Sequence, residues 1–160
     1  MKVEANMTTE TRPFEILLAE DSPGDAELVR EALKQHYVHC SLHIVSDGAR
    51  AIEFINNIDV DPKAPPLDLL LLDLCLPIRD GDDVLTRLRS SERHAHTPVI
   101  VMTGLSSSAV RERTTRHHAV LYFEKPSTLE EFLQLGSMIR QVLEPRAANW
   151  GDPVSHGGGI

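Results

Sequence analysis

The sequence predicts a doubly wound α/β protein: one open sheet of five parallel strands, with five helices covering both faces. Three observations carry this. Short apolar runs alternate strictly with amphipathic segments along the chain, and such alternation calls for parallel strands joined by right-handed crossovers. The run Leu69-Leu70-Leu71-Leu72 is continuous rather than alternating, as a strand covered on both faces requires. The amphipathic segments open on residues that cap helices, such as Ser22, Asp47 and Thr128.

Each element has its own justification. "FEILLA" (14–19) is a short apolar strand. The segment 22–36 is a helix: Ser22 caps it, Pro23 suits its first position, and Val29, Ala32, Leu33 and His36 share a face. "CSLHIV" (40–45) alternates and is a strand. Residues 47–57 form a helix capped by Asp47, with Ala51, Ile52 and Ile55 inward, and a proline-broken loop (58–66) follows. "LDLLLLD" (67–73) is the third strand, "DGDDVLTRLRSS" (80–91) a helix and "PVIVMT" (98–103) the fourth strand. "SSSAVRERTTRHH" (106–118) is a helix and "AVLYF" (119–123) the fifth strand. Residues 127–144 form the last helix, with Ser127 or Thr128 as cap and Glu130 and Glu131 in its first turn.

Composition narrows the partners. The 160 residues are 41% hydrophobic and 25% charged, as expected of one globular domain. A net charge of −8 argues against direct nucleic-acid binding, because phosphate backbones are held by an excess of Lys and Arg. The one cationic cluster, "RERTTRHH" (111–118), is diluted by Glu112 and reads as a solvated helix face. Cys40 and Cys75 sit in apolar surroundings and read as reduced, core-like thiols. No stretch reaches the roughly 18 apolar residues of a membrane span, and the polar N-terminus lacks a signal-peptide core. The expectation is a cytoplasmic protein. His94 with His96, and His117 with His118, lack a third clustered ligand and read as surface histidines rather than a metal site.

In an open parallel sheet the binding site lies beyond the carboxyl ends of the strands. The first strand ends in Glu20-Asp21, the third in Asp73, the fourth in Thr103 followed by Gly104, and the fifth runs into Lys125-Pro126. Parallel strands put all of these on one rim. Three converging carboxylates would repel until one was driven neutral, and a divalent cation removes the problem. Magnesium takes hard oxygen ligands, keeps waters, and is held by one or two carboxylates with phosphate oxygens. Lys125 can pair with Asp73 or with a phosphate oxygen, Thr103 offers a neutral hydrogen bond, and Gly104 leaves room. These are the parts of phosphoryl transfer, in which a carboxylate can be the nucleophile and form an aspartyl phosphate. Taken singly, each piece is unremarkable: an acidic helix start, an Asp at a strand end, a Lys-Pro loop. The weight lies in their joint order along the strand ends.

The stretches "ILLAEDS", "LLLLDLCLPIRDG", "VIVMTG" and "YFEKP" resemble the receiver domain of two-component response regulators, over about residues 14–144. The resemblance implies a flavodoxin-like sheet of order 2-1-3-4-5 in a receiver domain at 14–144, with loose tails at 1–13 and 145–160. It implies that Asp73 accepts a phosphoryl group from a sensor histidine kinase. Asp21 is then a direct magnesium ligand, Glu20 acts through water, and the Cys75 carbonyl completes the set with Asp73. Thr103 and Lys125 bind the phosphoryl oxygens, Pro77 and Gly81 shape the loop after Asp73, and Thr103 and Tyr122 form the switch. Such a protein is a signalling protein rather than an enzyme, since it catalyses only its own phosphorylation and slow dephosphorylation.

Two positions depart from the family's usual pattern. Cys75, two after Asp73, and Leu105, two after Thr103, stand where polar residues are frequent. Both flank the path of an attacking water, so hydrolysis of the acyl phosphate is expected to be slow. A stand-alone receiver acts through protein contacts, and the last helix offers two readings. Leu129, Phe132, Leu133, Ile139 and Leu143 can face the sheet, and Leu135, Met138 and Val142 form a second stripe. That stripe is either part of a broad core-facing surface or a partner or homodimer surface built from the fourth helix, fifth strand and fifth helix. The opening "EDSPGDAELVREAL" and the Pro-rich loop before the third strand resemble regulators paired with bacterial phytochrome kinases. Two rivals remain. A haloacid-dehalogenase-type phosphatase also uses a strand-end aspartate, but it needs a second Asp where Cys75 stands. A receiver-like or flavodoxin-like binding module would not signal by phosphate; "AEDSPGD" is too acidic for a flavin phosphate loop.

Overall fold

The computed structural model describes residues 12–104, 107–114, 117 and 120–148. Its elements follow the expected alternation: β1 (Phe14–Ala19), α1 (Pro23–Gln35), β2 (Cys40–Val45), α2 (Gly48–Val60), β3 (Leu69–Asp73), α3 (Gly81–Ser90), β4 (Val99–Thr103), α4 (Ser107–Thr114), β5 (Val120–Glu124), α5 (Leu129–Leu133) and α6 (Leu135–Ala148). The strands form one parallel sheet in the order β2-β1-β3-β4-β5.

The interior strands show why the sequence folds this way. Every residue of β3 and β4 is buried. On one side Leu17, Leu70, Leu72 and Val101 pack with Ala51 and Ile55 of α2 and with Val84, Leu85 and Leu88 of α3. On the other, Ile16, Leu18, Leu71 and Ile100 pack with Val29 and Leu33 of α1 and with Ile139 and Leu143 of α6. Each fully buried aliphatic side chain contributes about 1.5–3 kcal/mol, so the sheet is anchored from both sides. β2 is one of the two edge strands. Its residues are all half-buried rather than alternating, because only one neighbour flanks it.

The caps expected for the first, second and last helices are present, and Asp80 caps α3 in the same way. Ser22 Oγ accepts from Asp25 N, Asp47 from Arg50 N, Asp80 from Asp83 N, and Thr128 rather than Ser127 caps α5. α1 ends in a Schellman arrangement: Val38 N donates to Leu33 O and Tyr37 N to Lys34 O. Tyr37 occupies its left-handed position, with φ at 54°.

Several expectations are corrected. The last helix is divided at Gln134 into α5 and α6. The break brings Gly136 onto α1, where a Cβ would lie 2.4 Å from Ala32 O, and His36 Nε2 donates to Leu133 O at the break. α6 continues through Pro145 to Ala148, beyond the expected Glu144. Its Arg146 lies 3.5 Å from the buried Asp68, which also takes a two-pronged contact from Arg12 and the Glu15 N–H. Residues expected in the tails therefore pack against the foot of the sheet. The rest of both tails lies outside the described residues, as do Leu105 and His118. Leu135 is buried, and Met138 and Val142 pack partly buried on the same cluster, so the second stripe is core-facing. Leu129, expected to face the sheet, is exposed. His94 is not a surface residue: it is buried, its Nδ1 donates to Asp59 and its Nε2 accepts from Leu67 N. No helix among the described residues is long and apolar enough to cross a membrane.

Candidate functional site

Register builds the rim. Ala19 pairs with Leu72, so Glu20 follows β1 beside Asp73 of β3, and Thr103 of β4 pairs with Glu124, one before Lys125. Glu20, Asp73 and Thr103 are buried and Asp21 is exposed. One carboxylate oxygen from each of Glu20, Asp21 and Asp73 lies within 4.8 Å of the other two. The acids expected from the strand ends thus converge, and they converge where Lys125 arrives.

Lys125 is the hub. Its Nζ donates to Glu20 Oε2 at 2.8 Å, to Asp25 Oδ2 at 2.8 Å and to Asp73 Oδ2 at 3.2 Å. Its backbone N–H donates to Thr103 O, which fixes the start of the loop after β5. The second oxygen of Asp73 accepts from Cys75 N at 2.9 Å, and Glu20 Oε1 accepts from Ser22 N. Burial pushes the Glu20 carboxyl above its ordinary value; the hydrogen bond and charge of Lys125 offset this in part, and Asp73 adds to it. Burial alone would depress the Lys125 ammonium. The hydrogen bonds it donates to Asp25 and Glu20 and the charge of Asp73 override it, and the group is held well above an ordinary lysine. It is a permanent cation at any physiological pH.

The loop after Asp73 is held by its own backbone. Gly81 N donates to Leu74 O, and a Cβ on Gly81 would lie 2.7 Å from Leu74 Cα. Gly48 at the start of α2 donates to Pro77 O and leaves no room for a Cβ against Arg79 O. Ile78, at φ 71°, sits exposed in the left-handed region that β-branched residues avoid. Cys75 is exposed rather than core-like, because the chain has already turned outward past the rim; Cys40 is half-buried. Among the described residues, apart from its chain neighbours, none comes within 4 Å of where a Cβ on Gly104 would stand.

The α4 side carries the expected switch residue. Tyr122 is half-buried, its hydroxyl hydrogen-bonds Thr114 Oγ1, and Arg111 lies over its ring. Arg113 pairs with Asp82 and lies near Asp80 at the start of α3. The cluster read as a solvated helix face is thus partly engaged, because α4 lies against acidic groups of the β3–α3 loop.

One site residue escaped the sequence. Asp25 lies in the first turn of α1, four residues after Asp21, and an acid there reads as a partner of the helix dipole. Its position above the rim was the available signal. Chemically, the donor set of Glu20, Asp21 and Asp73 is all hard oxygen, the kind that suits magnesium. Among the described residues it is the one group of this type found, and no histidine or cysteine joins it.

Comparison with known proteins agrees with this geometry. The family model described as response regulator receiver domain matches residues 16–136. Response regulator Rcp1 of Synechocystis sp. is 32% identical over 130 residues, covering 81% of this chain and 88% of that protein. The crystal structure of the phosphorylated cyanobacterial phytochrome response regulator RcpA superposes with a TM-score of 0.73 at 27% identity, over 84% of this chain and 96% of that one. The Mn2+-bound form of Rcp1 gives 0.70 at 31% identity, over 81% and 93%. With the sheet order, the acidic rim and the lysine in their places, the chain belongs to the response regulator receiver domain family.

Proposed function

We propose that this protein is a response regulator that accepts a phosphoryl group on Asp73 from a sensor histidine kinase and signals by a change of shape read through protein contacts. The observation that carries the reading is the convergence on Asp73 of Lys125 Nζ, at 3.2 Å, with Glu20 and Asp21. In the transfer, an Asp73 oxygen attacks phosphorus, a P–O bond forms, and the P–N bond to the kinase imidazole breaks with the electron pair leaving on nitrogen. Lys125 and the Thr103 hydroxyl are the groups that receive the phosphoryl oxygens. The Cys75 N–H orients the carboxylate before attack. Glu20, Asp21, Asp73 and the Cys75 carbonyl are the residues that would hold Mg2+, which when bound offsets the negative charge of the carboxylates and of the incoming phosphoryl group.

The product carries close to two negative charges at Asp73. Thr103 and Tyr122 convey the change toward α4, and the exposure of Leu121 of β5 and Leu129 of α5 supports a reading in which the α4–β5–α5 face meets a downstream protein or a second copy. The similarity to Rcp1 and to RcpA supports a phytochrome as the sensor kinase, and signalling of this kind belongs to the cytoplasm. The test is incubation with acetyl phosphate or phosphoramidate, with and without Mg2+, followed by intact mass. A gain of one phosphoryl group that needs Mg2+ and vanishes in Asp73→Asn is the expected result. Phosphorylation of Asp73→Asn at the rim would sink it.

A further inference from the structure

Lys125 has three N–H donors, and in this structure the protein uses all three. Glu20 and Asp25 take the two shorter bonds and Asp73 the longest. A phosphoryl oxygen can gain the ammonium only if a present partner gives way. The three partners are not equally able to do so. The Glu20 side chain is fully buried and pinned by Ser22 N as well, so releasing it would strand a charge away from water. Asp25 is 30% exposed, stands on the solvent side of the first turn of α1, and can exchange Lys125 for water.

We infer that Asp25 is a positioning residue that holds Lys125 in the resting state, and that it competes for the ammonium with the phosphoryl group carried by Asp73, whose own bond to Lys125 is the longest of the three. This rests on the phosphoacceptor reading of Asp73. Asp25 acts in two ways. It occupies one of the donors that the phosphoryl group can use. Once released, its carboxylate faces the new dianion across the rim and opposes it. Asp25 is thus a brake on occupancy of the site, supplied by the helix rather than by the strand ends.

The test is beryllofluoride binding to the full-length protein at saturating Mg2+, followed by amide NMR around residue 73. Asp25→Asn keeps the shape and removes the charge, and it is expected to bind beryllofluoride about fivefold more tightly than wild type, the size of one solvent-screened ion pair. Asp25→Ser, which suits a helix start, should do the same, whereas Asp25→Glu should remain near wild type. A purely structural role would give weaker or unchanged binding in the Asn and Ser variants. If wild type responds and these variants bind no more tightly, the role of Asp25 is overturned while the phosphoacceptor reading stands. If wild type itself does not respond, both fall.

Discussion

Arg113 of α4 grips Asp82 at the start of α3: its Nη2 lies 2.9 Å and its Nε 3.2 Å from the same carboxylate oxygen. The hydrogen bond to Asp82 draws the proton more firmly onto the guanidinium against the opposing effect of burial, and the charges of Asp82 and Asp80 add to it. The pair is half in water, so it is worth no more than about 1 kcal/mol. Its effect is on α4, which also buries Val110 and Thr114 and places Arg111 over Tyr122. Arg113→Ala should speed hydrogen exchange of the amides of residues 110–114 several-fold while lowering Tm by only a few degrees. Unchanged exchange there would mean that the apolar contacts alone hold the helix.

Exposed Cys75 offers an attacking water no strong hydrogen bond. The acyl phosphate should therefore persist for minutes or longer in Mg2+ buffer, and Cys75→Asn should shorten its life by about tenfold, less than the roughly hundredfold or more of a full general acid or base, because an amide only orients the water. Decay followed by intact mass or by radiolabel gives the answer. A wild-type half-life of seconds would end the idea.

Tyr37 pays for its left-handed backbone with little in return, being 89% exposed at the Schellman turn of α1. A non-glycine residue there costs about 1–2 kcal/mol. Tyr37→Gly should raise stability by about 1 kcal/mol, or roughly 2–4 °C in Tm for a chain of this size. A fall in Tm would show that the ring's contacts at the rim of the Phe14, Val38 and Leu143 groove outweigh the strain.

Glu20 couples stability to pH in the metal-free protein. Burial raises its folded-state value above 4.5. The unfolded chain therefore gives up this proton first, and the contribution of Glu20 is fully present below pH 4.5 and lost as pH rises through the folded value. With EDTA present, Glu20→Gln should be more stable than wild type at neutral pH, by about 1 kcal/mol, and the gap should close below pH 4.5. Thermal melts at several pH values measure it. A variant less stable at pH 7 would show that Lys125 more than offsets the burial.

What the sequence made visible and what it hid have separate physical causes. Asp73, Thr103 and Lys125 were legible because a parallel sheet sends every strand end to one rim, whatever the sequence distance. The helix caps were legible because capping is local. Asp25 was hidden because an acid in a first turn satisfies the helix dipole without any tertiary role. His94 was hidden because its partner Asp59 lies 35 residues earlier, and only the folded chain brings the two together. The half-burial of β2 depends on edge position, which alternation within one strand does not encode. The break at Gln134 is set by α1 pressing on Gly136, a contact between distant segments.

That last contact has a further consequence. With a Cβ at position 136 already too close to Ala32 O and to the His36 ring, α1 and α6 touch backbone to backbone and cannot slide past one another. On the other flank, α4 and the start of α3 meet through charged side chains, Arg113 against Asp82 and Asp80. The two flanks of the strand that carries Asp73 are therefore held by different means, close backbone packing on one side and side-chain ion pairs on the other.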